Sequence, residues 1–457
     1  MSDKKFSRRS FLKVVGVTGA SVALAACGTK ATTAPTAVPT TVVEPTKAPP
    51  VAETKPIAFL CRTDIKSAYA ADVAVKNWNA AFPSQVTMDE PPQGDITTKI
   101  QSAQAAGDLV WDGYAVMETP WSTADWVSRG LIAPLDNNIK VSTVKNADKV
   151  ILSIIPTIKE AASYGGKLYG IPGNCGSVNL AWYWEPVKNA GFEDKFKNQP
   201  VTWDDVYQAA KAIKKSNPEY TPFSFASLNL CLLYAMIWSA KDEPLDADGI
   251  IDIRSDESLN ALEWCRKLVD EELMPGTDVD QFGNWLKKGI AIISCFDVAG
   301  TMAQQTFGMD AATTGINFFP DKSSTHAGCP FWINSSVLLD KAKNPQGMVD
   351  FFLWWFGPDN KDTGKQIATV AAKPCYSYTY DEFIKGNADL AWEQPAIDLV
   401  AKSKWFPANR AWSIETVKVL PYLQKLLDVN NTFSRDIAKQ EMANAYTEIK
   451  NEIALLK

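Results

Sequence analysis

The stretch from Gly165 to Lys215 constrains the fold of this chain more than any other. Turn glycines alternate there with Leu168, Tyr169 and Ile171 as far as Pro172, which predicts a tight hairpin running into a strand. Gly173 frees the backbone, and Asn179 to Trp184 resumes as an apolar, aromatic strand that Pro186 closes. Thr202 then stands where it can cap a helix. Asp205 completes a capping-box pattern three residues on, and Val206, Ala209, Ala210 and Ile213 share one helical face. A long extended passage and a capped helix thus divide the chain into an earlier and a later part.

The earlier part alternates. Pro56 to Cys61 predicts a buried strand, Lys66 to Ala81 a helix, and Gln85 to Met88 a second strand. A helix capped by Asp95 runs to Ala106, and Leu109 to Met117 reads as a third strand. That order implies parallel strands joined by right-handed crossovers, an open α/β sheet. In the later part, DADGIIDI at Asp246 to Ile253 lacks the late glutamate of a calcium loop and reads as a turn between two short strands. Ser255 opens a helix through Leu273, ended by Pro275 and Gly276. Gly315 to Pro320 and Ile333 to Asp340 read as strands returning to the first sheet. Asn344 and Pro345 start a helix whose Met348, Phe351, Phe352 and Trp355 lie at core spacing. The final hundred or so residues are mostly helical, with Ala438, Met442, Ala445, Ile449 and Ile453 on one stripe.

The order GKLYGIP, aromatic strand, EPVKNAGF and TWDD resembles the crossover segment of extracellular solute-binding proteins of ABC importers, in the sugar-binding branch related to maltose-binding proteins. ADWVSRGLIAPLDNNI, from Ala124 to Ile139, is similar to that family's helix-to-turn passage. KKGIAIISCFDVAG, from Lys287 to Gly300, is similar to the strand that returns the chain through the hinge, with Asp297 near the place of the usual tryptophan. The resemblance implies an α/β, two-lobed periplasmic-binding-protein-like fold: two discontinuous lobes joined by a hinge, with a ligand cleft between them. Residues 56–173 with 298–356 are expected in the first lobe, and 174–297 with 357–457 in the second.

The ends of the chain carry an address. SRRSFLK at Ser7 to Lys13 resembles the twin-arginine export signature, and Val14 to Ala26 is apolar but too short to span a bilayer comfortably. Leu24, Ala25, Ala26 and Cys27 form LAAC, similar to a lipoprotein box, so residues 1–27 are expected to be an export signal whose cleavage leaves a lipid on Cys27. Residues 28–55 are rich in Thr, Ala, Pro and Val and have almost no large apolar residue, the composition of an extended tether. The expected location is the outer face of the cytoplasmic membrane, facing the periplasm or the cell surface.

The formal net charge is −6, and the leader contributes five basic residues against Asp3, so the mature chain stands at about −10. An acidic chain without basic clusters does not neutralise phosphates, which argues against nucleic acid as a partner. Eight cysteines leave seven once Cys27 is lipidated, an odd number with no C-x-x-C pair, and Cys231 and Cys265 lie in apolar helical text that predicts buried thiols. A Cys329 to Cys375 bridge is one open possibility.

Sixteen tryptophans offer flat faces for sugar rings, while carboxylates and amides can satisfy hydroxyls. In open α/β sheets a ligand lies beyond the carboxyl ends of the strands. Candidate ligand contacts are therefore Arg62 and Asp64 after the first strand, Trp111 and Asp112 in the third, and Asn174 at the crossover. Trp182, Trp184, Asp297, Trp332 and Trp412 complete the set; any single tryptophan can equally be a packing residue. One histidine, His326, rules out a multi-histidine metal site and speaks against a histidine triad. No metal, cofactor or catalysis is expected. The expected partners are a carbohydrate-like small molecule and the membrane permease of an ABC importer, with the binding protein a monomer. Three rivals stand beside that reading: an exported carbohydrate-active enzyme using paired carboxylates, a binding protein for a peptide or polyamine, and one that serves a sensor.

Overall fold

In a computed structural model of the chain, residues 55–455 are described apart from 64–65, 67–68, 93–94, 120, 198–200, 227–234, 238, 241–242, 277–280, 297–311, 319–330, 372–374, 389–404, 406–407 and 410. The signal, the lipidation cysteine, the tether as far as residue 54, Cys231, His326 and Cys329 lie outside the described residues.

The first part builds as its alternation predicts. Strand β1 (Ile57–Cys61), helix α1 (Ala71–Ala81), β2 (Val86–Asp89), α2 (Ile96–Ala106) and β3 (Gly113–Thr119) succeed one another, and β1 pairs in parallel with both β2 and β3. Helix α3 (Trp121–Ser128) and the short β4 (Ile132–Ala133) come next. Two differences from the sequence reading matter. Helix α1 begins at Ala71 rather than Lys66, and β3 runs 113–119 rather than 109–117, which moves Trp111 and Asp112 out of the strand.

The hairpin forms as β5 (Ser163–Tyr164) and β6 (Lys167–Leu168), turned by Gly165 and Gly166, both at positive φ. The chain beyond it is one continuous strand, β7 (Gly170–Tyr183), and not two segments parted at Gly173. At about 3.3 Å per residue it is some 46 Å long. The chain then forms α4 (Trp203–Ser216), β8 (Thr221–Phe225), α5 (Asp256–Asp270), β9 (Ile290–Phe296), β10 (Thr314–Phe318), β11 (Phe331–Leu339), α6 (Pro345–Trp355), α7 (Lys361–Ala371), α8 (Trp412–Leu427) and α9 (Arg435–Leu455).

Strand β7 belongs to two neighbourhoods. Its residues 170–177 lie antiparallel to β11, which continues to β3, β1 and β2; its residues 178–183 lie between β9, which leads to β8, and β10. One strand thus carries the chain from one lobe to the other. Thr314–Phe318 was expected beside the first sheet, but it pairs with Asn179–Tyr183 in the second. Strand β11 joins the first, as expected.

Burial keeps to the strand period. Phe59 of β1 packs with Trp78, Phe351 and Trp355 on one face of the first sheet, while Leu60 packs with Ile100, Tyr114 and Trp126 on the other. The predicted core stripe of α6, Met348, Phe351, Phe352 and Trp355, is fully buried. Asn344 caps that helix by accepting a hydrogen bond from the Gly347 amide at 2.9 Å. In the second lobe the capping box of α4 forms in full, and α9 buries Ala438, Met442, Ala445 and Ile449 while Ile453 is half-buried. Cys265 is a buried free thiol whose pKa burial pushes up, as its apolar setting predicts. Among the described residues no helix is long and apolar enough to cross a membrane.

Candidate functional site

Strands β1 and β3 both end toward the same edge, and Glu118 near the end of β3 and Ser122 just beyond it line a cleft of about 470 Å³. This is the position at which an open α/β sheet offers a ligand site. Arg62 comes directly after β1, and Glu118 is the next-to-last residue of β3. The guanidinium Nη1 meets the carboxylate Oε1 at 3.1 Å, with the arginine buried and the glutamate partly exposed to the cleft. The two charges cancel, leaving an ordered set of donors and acceptors with no net charge to attract an ion.

The cleft walls come from both lobes. Tyr114 of β3 and Trp126 of α3 stack with ring centroids 5.7 Å apart and line the first-lobe wall. Trp412 and Ser413, the first two residues of α8, face them from the other side. Helix α8 packs on α5 and α9, so it is a second-lobe element that touches the first through its N-terminal turn. An aromatic floor opposed by an aromatic residue suits an apolar ring face, and the Arg62–Glu118 pair suits hydroxyls.

At the lobe crossing, Asn174 of β7 stands opposite Asn334 of β11. The Asn174 Oδ1 accepts from the Tyr69 hydroxyl and from Asn334 Nδ2, the latter at 3.1 Å. Burial holds the Tyr69 phenol well above its ordinary pKa, so it remains a donor.

The ten sequence candidates fall into distinct places. Trp412 lines the cleft, Arg62 is buried behind it against the cleft-lining Glu118, and Asn174 lies at the crossing. Trp111 and Asp112 precede β3 and so sit at its amino end. Trp111 donates its Nε1–H to Asp89 at 2.7 Å; Asp112 accepts from the backbone amides of Ala58 at 3.1 Å and Asn344 at 2.7 Å. Trp182 is fully buried, edge-on to Trp184 and Phe196. Trp184 is half-buried at the start of a short helix, with Lys188 and Lys197 5.8 Å from its ring. Trp332 is buried over Gly176, where any Cβ would stand 2.5 Å from the indole. Asp64 and Asp297 lie outside the described residues.

The sequence reading missed Glu118, Tyr114, Trp126 and Asp125. Placing the third strand four residues too early drew attention to Trp111 and Asp112 instead of the strand's carboxyl end. The signal for Glu118 is its position just before Pro120 and a helical segment, which marks a strand end. Among the described residues no group of His, Cys, Asp and Glu is arranged to hold a metal.

Two discontinuous α/β lobes, a strand passing between them and a cleft walled by both define a two-lobed binding protein of the periplasmic kind. The signature of bacterial extracellular solute-binding proteins matches residues 34–372, and the chain belongs to that family, whose members bind solutes outside the cytoplasm. No curated protein matches the sequence significantly. Solved structures agree in fold. An ABC substrate-binding protein of Listeria monocytogenes in complex with cycloalternan is 16% identical, covers 88% of this chain and 100% of its own, and superposes with a TM-score of 0.69. The sugar-binding protein MalE of Xanthomonas citri is 15% identical over 88% of this chain and 99% of its own, at 0.70. The GacH receptor of Streptomyces glaucescens, solved unliganded and with acarbose, is 16% identical over 87% and 98%, at 0.69.

Proposed function

We propose that this protein captures a sugar or short oligosaccharide between its lobes and delivers it to the permease of an ABC importer. The observation that carries the reading is the cleft itself: Tyr114 and Trp126 on one wall, Trp412 on the other, and the charge-neutral Arg62–Glu118 pair at the strand ends. Stacking faces with fixed hydrogen-bonding groups and no net charge match a neutral polyhydroxylated ring better than a polyamine or an acidic peptide. The ligands bound by structural neighbours, cycloalternan, acarbose and mannotriose, support the same class.

The lobes are taken as 56–173 with 298–356 and 174–297 with 357–457, adjusted so that Thr314–Phe318, which pairs with Asn179–Tyr183, goes with the second and the segment around Tyr376, which bridges Ile154 and donates to the Pro172 carbonyl at 2.6 Å, goes with the first. The twin-arginine-like leader and the LAAC sequence support a lipid on Cys27 that holds the protein, acting as a monomer, at the outer face of the cytoplasmic membrane through a tether of residues 28–55. The protein binds and releases its ligand without converting it.

Calorimetric titration of residues 56–457 against malto- and manno-oligosaccharides, polyols, amino acids, peptides and polyamines tests this, with the ligand recovered and analysed afterwards. A carbohydrate that binds and returns unchanged is the expected result, and Trp412→Ala should weaken it at least tenfold. Binding confined to peptides or polyamines would overturn the ligand class, and a cleaved glycan would make the protein an enzyme.

A further inference from the structure

Beside the ligand-facing groups, the cleft holds a polar bridge between its two walls. Asp125 projects from α3 of the first lobe and is only 3% exposed. Its Oδ1 accepts a hydrogen bond from Arg129 Nε at 2.7 Å, one helical turn on. Its Oδ2 accepts from Ser413 Oγ at 3.3 Å, in the first turn of α8. Arg129 Nη2 in turn donates to the same Ser413 Oγ at 3.3 Å. Three side chains close a triangle, and two of its three sides run from one lobe to the other.

The pieces suit a contact that forms and breaks. The Asp125 carboxylate is held inside the first lobe by Arg129 whether or not the second lobe is near, so it is already oriented and little screened. It faces the N-terminal turn of a sixteen-residue helix, whose partial positive charge favours an anion there. Ser413, by contrast, is exposed and gives up little packing when it leaves. The other carboxylate on this wall, Glu118, is paired with Arg62.

We propose that Asp125, Arg129 and Ser413 form a latch that lets the lobes come together before any ligand arrives. The inference rests on reading the cleft as the ligand site, but the latch itself needs no ligand. Its bonds exist only when the lobes are together, so it stabilises the closed form alone. The apparent dissociation constant of a ligand equals the intrinsic one divided by the fraction of protein in the competent state. Raising that fraction in the empty protein therefore tightens binding of any ligand that requires closure. None of the three side chains has to touch the ligand to do so.

Fluorophores placed at the exposed Lys149 of the first lobe and Lys439 of the second report lobe separation by energy transfer in the ligand-free protein. Arg129→Ala and Ser413→Ala should lower the transfer, and Arg129→Lys should keep part of it. The same two variants should weaken ligand binding about two- to tenfold, the equivalent of one net hydrogen bond. Ser413 is exposed, so its alanine variant keeps the test open where a change at Asp125 disturbs the fold. Transfer in ligand-free Arg129→Ala and Ser413→Ala equal to that of the wild type would overturn the latch. Failure of the carbohydrate assignment would leave this ligand-free readout unchanged, so the two proposals fail separately.

Discussion

Gly173 and Asp112 show how single residues hold the frame of the cleft without lining it. In the β7–β11 ladder Asn334 stands opposite Asn174 and Ser335 opposite Pro172, so Gly173 is the extra residue of a bulge. A Cβ at that position would meet the Tyr69 ring at 2.2 Å, and Tyr69 is the residue that donates to Asn174. Gly173→Ala must displace a buried ring at the lobe crossing. It should cost about 1–3 kcal/mol in denaturant unfolding, as overpacked sites do. Asp112→Ala should behave differently. It leaves the Ala58 and Asn344 amides without their acceptor, a loss of about 1–3 kcal/mol for each buried donor, while ligand affinity measured on the folded protein stays within about twofold of wild type. A large loss of affinity in Asp112→Ala would return that residue to the binding site.

Among the elements, α4 and β10 mark what the sequence made legible and what it did not. The α4 cap depends on four consecutive residues, and it forms as read: the Thr202 hydroxyl accepts from the Asp205 amide at 3.2 Å while the Asp205 carboxylate accepts from the Thr202 amide at 2.8 Å. Local chemistry of this kind is visible in sequence because all its partners are neighbours. The alternation of β1 to β3 and the α6 core stripe were legible for the same reason, whereas the two-lobed class came from the resemblance carried by GKLYGIP, EPVKNAGF and TWDD. The placement of β10 was not, since pairing with β7 joins residues more than a hundred positions apart and nothing in TGINF names its partner. The true start of β3 was hidden too, because Leu109 to Trp111 already reads as strand although Asp112 and Gly113 interrupt the apolar run just where β3 begins. Thr202→Ala should cost about 1 kcal/mol of stability by thermal or denaturant unfolding. Burial alone would raise the Asp205 pKa, but hydrogen bonds from Thr202 and the ion pair with Lys195 outweigh it and hold the carboxyl below its ordinary value. A folded pKa below the unfolded one means the cap's contribution is complete above the unfolded value and lost as pH falls through the folded one. The stability gap between wild type and Thr202→Ala should therefore narrow under acid, and a gap unchanged down to about pH 2 would refute the assignment.

At the scale of the whole molecule, β7 is the element on which both lobes depend, and its neighbours explain why closure can be a discrete event. One half of β7 is laddered to β11 and the other to β9 and β10, so each half is rigid with its own lobe. The pairing changes hands between residues 177 and 178, so a rotation of one half against the other has to be taken up there. A ligand touching Trp412 on one side and Tyr114 on the other interacts with both walls only when they approach, and this differential contact shifts the population toward the closed form. Two consequences should appear together. A carbohydrate present at about 100 times its dissociation constant should stabilise the folded state by about 2.7 kcal/mol, read as a rise in melting temperature. The same addition should reduce the radius of gyration in small-angle scattering, because the lobes swing together about β7. In Trp412→Ala both signals should shrink in step, since that side chain supplies the second-lobe share of the contact. Stabilisation without compaction would place the ligand on one lobe alone and remove the basis for treating β7 as a hinge.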